Sequence, residues 1–239
     1  MNLLGIRQQF IKLSGRYDLA TTTVSEFDTD NGANFFINAG QRFLDRRFYH
    51  AKTIGRYFKQ VAASSWYLTF QHCRSILTVW CNDDEDRWQL TKYDYDTIRN
   101  NYDGLVSGTD TGSPSFYCPV WIRSPLATDK DVRGAFFNYV KTDDDGTYNG
   151  ILFVPPTDAV YIIEIIGHFY FSDLSSNTET NYWTNVAPEA LIKAALYQLE
   201  TFYRNSEGAR DWLNAITLDV QPLEFDAVEQ ESNDPYVRE

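Results

Sequence analysis

The chain has 239 residues, 43% of them hydrophobic and 16% aromatic, with a net charge of −12, which is enough apolar mass for one large domain or two small ones. It contains no run of about 18 apolar residues, so no membrane span is expected, and the opening MNLLGIRQQF is too polar for a signal peptide. Cys73, Cys81 and Cys118 lack C-x-x-C spacing, which argues against a disulfide framework or a zinc knuckle and fits synthesis in a reducing cytoplasm.

Leu3, Ile6, Phe10, Leu13 and Tyr17 recur every three or four residues and predict an N-terminal amphipathic helix ending near Gly15. A polar stretch from Thr21 to Asn31 follows. Asp28, Asp30 and Asn31 are N-cap types, and they open a second helix with Phe36, Ala39, Gly40 and Phe43 on one face. The small pair Ala39–Gly40 predicts close approach by another backbone. Cations cluster behind it: residues 1–62 hold nine Lys/Arg against five Asp/Glu, while the remainder holds twelve against twenty-eight. From about Ser64 the period becomes two, with strands expected around Trp66–Phe70, Ile76–Trp80, Phe116–Ile122, Ala135–Val140, Ile151–Val154 and Ala159–Phe171. Acidic turns at Asn82–Asp86 and Asp143–Gly146 punctuate them, and Asp94–Tyr102 reads as a short helix. Pro188 and Glu189 then start a helix with the stripe Ile192, Leu196, Leu199 and Tyr203. Trp212, Leu213 and Ile216 continue a further helical piece. Beyond Gln221 the chain is acidic and weakly patterned, and an extended or flexible tail is expected.

Helices, strands, then helices predict an α+β protein. The N- and C-terminal helices would pack as a helical bundle (residues 1–62 and 176–220), with an inserted, mainly antiparallel β region (63–175) and a flexible acidic tail (221–239).

Motifs that carry chemistry are missing. Phosphate-binding, dinucleotide, nucleophile-elbow and HExxH patterns do not occur, and His50, His72 and His168 have no metal-ligand spacing. Asp28-x-Asp30 begins like a calcium loop but places Gly32 and Ala33 where a ligand and a glycine are needed. Glu164 and His168 on one strand are about 13 Å apart and have no accompanying nucleophile. No catalytic, cofactor-binding or metal-binding residue is therefore assigned, no cofactor is expected, and the chain reads as a non-enzyme. The segment Arg42–Lys59 interleaves cations with aromatics, a pattern compatible with single-stranded nucleic acid. The acidic remainder of the chain would repel a polyanion, which favours a packed helix whose Arg42, Arg46, Arg47 and Arg56 meet an acidic neighbouring subunit. Trp66, Trp80, Trp88 and Trp121 raise the alternative of a carbohydrate-binding module, since exposed tryptophans stack on sugar rings.

Two stretches, DNGANFFINAGQRFLDR (Asp30–Arg46) and LIKAALYQLETFYRNSEGARDW (Leu191–Trp212), together with IRQQFIKLSGRYDL (Ile6–Leu19), resemble the head-to-tail adaptor, or head-completion, proteins of tailed bacteriophages. The resemblance covers the helical segments. It implies a structural protein of the virion neck, made in the bacterial host cytoplasm and assembled as a ring of about twelve copies. Such a ring sits beneath the portal, joins it to tail or nozzle proteins, and lines the channel through which double-stranded DNA passes without sequence-specific binding. On this reading Phe36, Phe43, Leu196, Leu199 and Tyr203 form the bundle core.

Overall fold

A computed structural model describes residues 1–22, 25–47, 54–83, 85–101, 111–120 and 148–232. In chain order the elements are α1 (Leu3–Ser14), a 3-10 turn (Tyr17–Leu19), the short strands β1 (Ala20–Thr21) and β2 (Thr29–Asp30), α2 (Ala33–Arg47), β3 (Ile54–Val61), β4 (Tyr67–Asn82), β5 (Arg87–Gln89), β6 (Thr91–Lys92), α3 (Tyr95–Asn101), β7 (Phe116–Val120), β8 (Tyr148–Val154), β9 (Tyr161–Phe169), α4 (Tyr182–Val186), α5 (Pro188–Phe202) and α6 (Ser206–Ser232). The fold is mixed α+β. It divides into two units, Met1–Thr53 with Phe171–Glu239, and Ile54–Tyr170.

In the first unit, α1 starts at Asn2, whose side chain accepts the Gly5 N–H, and stops at Gly15, whose φ of 66° lets its N–H return to the Ile11 carbonyl. Its buried face is Leu3, Ile6, Arg7, Phe10 and Ile11. Leu13 and Tyr17, expected on that face, are 60% and 59% exposed. The stripe drifts toward Arg7 and Ile11, and the helix has ended before Tyr17. Asp30 accepts the Asn34 N–H at the start of α2. The helix α5 opens with Pro188 and buries Ala190, Leu191, Ile192, Ala194, Ala195, Leu196 and Leu199. A Cβ on Gly40 would stand 2.7 Å from the Ala195 nitrogen and 2.8 Å from the Ala194 carbonyl carbon, so α2 and α5 meet backbone to backbone. One apolar cluster joins α1, α2, α5 and α6, with Trp183 of α4 wholly buried in it.

Three boundaries differ from the sequence reading, the first being that the β-rich unit closes at Tyr170 instead of residue 175. Strand β3 begins at Ile54, inside the segment expected to be helical to residue 62, because Ile54, Arg56, Phe58 and Gln60 alternate with Gly55, Tyr57, Lys59 and Val61. The helix α6 continues to Ser232, where an extended tail was expected from Gln221. Glu, Ala and Gln are strong helix formers, and Pro222 removes one i→i−4 hydrogen bond without ending the helix.

The second unit is a curled, seven-stranded mixed sheet ordered β3-β9-β4-β8-β7-β6, with β5 pairing on β4. The β6–β7 pair is parallel and the other pairs are antiparallel. The two runs read separately at 66–70 and 76–80 are one 16-residue strand, β4. His72 breaks its alternation with a φ of 63°, and the register slips between Thr69 and Cys73 and twice more before Thr78. One face of the sheet buries Leu68, Phe70, Val79, Cys81, Phe153 and Ile165. A smaller cluster packs Ile98 of α3 with Cys118, Leu152 and Val154. The strand expected at 135–140 and the turn at Asp143–Gly146 lie outside the described residues.

Candidate functional site

Gln41 and Asp45 are buried polar residues among the apolar side chains of α2, and with Asn38 and Arg42 they run along one flank at helical spacing. Each engages the segment 171–181, which enters the first unit after β9. The Asn38 side chain donates to the Leu174 carbonyl and accepts its N–H, both at 3.0 Å. Gln41 Nε2 donates to the carbonyls of Phe171 and Ser172, and its Oε1 accepts from Asn181 Nδ2 at 2.5 Å. Arg42 pairs with Asp173. Asp45 accepts the Trp183 indole N–H at 2.7 Å on Oδ1 and the Phe171 N–H at 3.2 Å on Oδ2. The same segment offers the carbonyls of Asn177 and Glu179 to the N–H groups of Leu4 and Leu3, so it also satisfies the start of α1.

Arg7 forms a second buried polar node. Its guanidinium donates to Asn34 Oδ1, to the carbonyls of Phe27 and Asp28, and to Asn177 Oδ1 at 2.8–3.1 Å. A satisfied arginine of this kind fixes loops around a core rather than offering charge outward. The sequence reading assigned no role to Arg7, Asp45 or Asn181. The available signal was a polar residue inside an apolar i, i+3/i+4 stripe, at Arg7 beside Ile6 and Phe10, and at Asp45 beside Leu44.

The four candidate interface arginines fall in different settings. Arg42 is exposed and paired within the chain to Asp173. Arg46 and Arg47 are exposed at the end of α2, Arg47 lying 5.8 Å over the Phe43 ring. Arg56 is on β3, not on a helix, with Nε 3.3 Å from a carboxylate oxygen of Glu164. Arg87 donates to the other oxygen at 2.6 Å and stacks 4.3 Å over Trp80. Glu164 is only 2% exposed, so it is a buried carboxylate held by two exposed arginines. The strand Glu–His pair therefore reads as packing, with Glu164 engaged by arginines. His168 is buried on the same strand, and burial, then the charge of Arg74, holds its pKa below the usual histidine value.

Of the candidate core, Phe36, Leu196 and Leu199 are buried, and Phe43 is partly buried with its ring 4.9 Å from that of Tyr197. Tyr203 is 48% exposed. It lies past the end of α5, where its hydroxyl meets Arg16 and its ring packs on Phe202, so it belongs to the rim rather than the core.

Other chemistry is sparse. Among the described residues no group of three or more His, Cys, Asp or Glu could hold a metal ion, and no helix is long and apolar enough to cross a membrane. Burial pushes the thiols of Cys73, Cys81 and Cys118 up to about 12. Among the described residues, the candidate tryptophans share no platform. Trp88 packs on the buried sheet face and donates to the Pro114 carbonyl, Trp80 points to the opposite face beneath Arg87, and Trp66 packs on the α3 cluster. Trp121 and His50 lie outside the described residues. Neither the models of known protein families nor the curated proteins include a match to this chain.

Proposed function

We propose that this chain is a structural head-to-tail adaptor of a tailed bacteriophage. It would act in the virion neck as a homo-oligomeric ring beneath the portal, joining it to tail proteins and lining the DNA channel. In this reading the terminal helices form a bundle that carries the ring, and the mainly antiparallel β region is inserted between them. The observation that carries the reading is the contact between the two adaptor-like stretches. They are distant in sequence, yet Gly40 of the first lies against Ala194 and Ala195 of the second. A shared core of that kind is what a common helical framework requires, and its polar nodes serve packing rather than catalysis.

Acidic balance suits a channel wall, since it gives passing DNA no counterion-releasing contacts to dwell on. Arg46 and Arg47, exposed at the end of α2, suit a copy-to-copy contact with an acidic neighbour. Negative-stain electron microscopy of the purified chain, alone and with its cognate portal, tests the proposal. A ring, or a new layer on the portal, is expected. A chain that stays monomeric and leaves the portal unchanged refutes it.

A further inference from the structure

The junction of α5 and α6 opens a groove lined by Tyr197, Ala209 and Leu213, with Arg204 and Arg210 among its polar residues. Both arginines are exposed, and among the described residues neither is in an ion pair. Arg204 sits at a φ of 60°, a left-handed conformation in which glycine or asparagine is at ease and arginine is strained. An apolar lining with two cations selects a segment that is apolar and acidic.

The far end of α6 carries such a segment. The helix α6 has 27 residues against 15 in α5, and among its described side chains Val220 is the last that is fully buried, with Leu223 partly buried. From residue 224 onward the sequence reads EFDAVEQESNDPYVRE, with Phe225 and Val228 three apart and six acidic residues against one arginine. The part of this segment held in α6 cannot reach the groove of its own chain, because about 28 Å of continuous helix separates Ala209 from Val228 at 1.5 Å per residue. The groove and the segment sit toward opposite ends of one rod, so a contact between them joins two molecules.

We propose that the acidic end of α6 from one copy docks in the Arg204/Arg210 groove of the next. The contact is head-to-tail: each copy gives one end and receives the other, so repetition makes a closed ring or an open filament. The inference rests on the reading of the chain as a ring subunit, and it names the contact that would build the ring.

The test uses the full chain, with and without the cognate portal. Ala209→Cys and Val228→Cys proteins are prepared separately, mixed and oxidised; the native thiols are buried and do not compete. The expected product is a disulfide-linked pair of the two variants, absent from either alone. Arg204→Glu plus Arg210→Glu should abolish it. A readout free of cysteine is sedimentation: the same charge reversal should weaken self-association at least tenfold, and adding Glu229→Lys plus Glu231→Lys to that chain should restore it. No mixed cross-link in either condition, a cross-link unchanged by charge reversal, or capture of Val228→Cys by the portal instead overturns the proposal. Rings on the portal without the cross-link would overturn this contact and leave the adaptor reading standing. The cross-link in a chain that ignores the portal would sustain the contact and remove the adaptor reading.

Discussion

Replacing Gly40 with alanine adds one methyl group at the α2–α5 crossing, where the opposing atoms are main chain. The new Cβ would stand 2.7 Å from the Ala195 nitrogen and 2.8 Å from the Ala194 carbonyl carbon. Ordinary carbon contacts sit at about 3.5–4.0 Å, so the helices must part by about 0.8 Å, and gaps of that size forfeit about a quarter to a half of each dispersion contact along the seam. Overpacked positions cost about 1–3 kcal/mol. This one belongs at the upper end, because backbone cannot rotate aside as a side chain can. Alanine's better helix propensity offsets about 1 kcal/mol. The net expectation is a loss of about 2 kcal/mol, or about 4–8 °C in Tm for a chain of this size. Urea and thermal unfolding followed by circular dichroism at 222 nm measure it, and hydrogen exchange across 33–47 and 188–202 should report the loosening locally. Gly5→Ala is the control: its added Cβ meets the flexible Met1 side chain, so stability should hold or rise by up to about 1 kcal/mol. A Gly40→Ala protein as stable as the parent would refute the backbone-to-backbone crossing.

Asp45→Ala should cost about 2–4 kcal/mol in equilibrium unfolding, because it strands the buried Trp183 indole N–H and the Phe171 amide; Asp45→Asn, which keeps one acceptor, should lose about half as much. Native protein at pH 8 should resist a thiol reagent that reacts with all three cysteines in urea, since burial keeps them protonated. The same raised values fix a sign: the stability these thiols contribute is full below about pH 9 and is lost as pH rises toward about 12, so unfolding midpoints should fall across that window. Arg46→Glu plus Arg47→Glu should leave helicity unchanged by circular dichroism and block assembly of the proposed ring; an unfolded monomer would instead place these arginines in the fold.

The legible parts were those with a strong period. Most of the α1 and α5 stripes, the Pro188 start and the close approach at Gly40 could be read locally, while Leu13, Tyr17 and Tyr203, at the ends of their stripes, are exposed. Strand β4 was seen as two pieces because His72 and the register slips interrupt its alternation. Strand β3 was hidden because Arg56 and Lys59 continue the cationic run of α2, and charge masked the change of period. The acidic end of α6 has no apolar stripe to announce it, yet its residues favour helix intrinsically. At the candidate site, the Arg42–Asp173 and Asp45–Trp183 pairs span more than 120 positions. Local pattern cannot indicate such partners; only the tertiary fold brings them together.

The pairing of Ile54 with His168 has a consequence for how the molecule closes. The second unit begins and ends on neighbouring antiparallel strands, whose paired Cα atoms lie about 5 Å apart. Once that unit has folded, the first unit sees a short bridge instead of a long unfolded excursion between Thr53 and Phe171. Because loop-closure entropy grows with the logarithm of length, the shortening amounts to about 3 kcal/mol. The sheet thus acts as an entropic clasp on helices that lie far apart in the sequence. The same adjacency makes residues 54–170 a natural cassette: excised and replaced by a few flexible residues, they would leave the two halves of the helical unit within reach of each other.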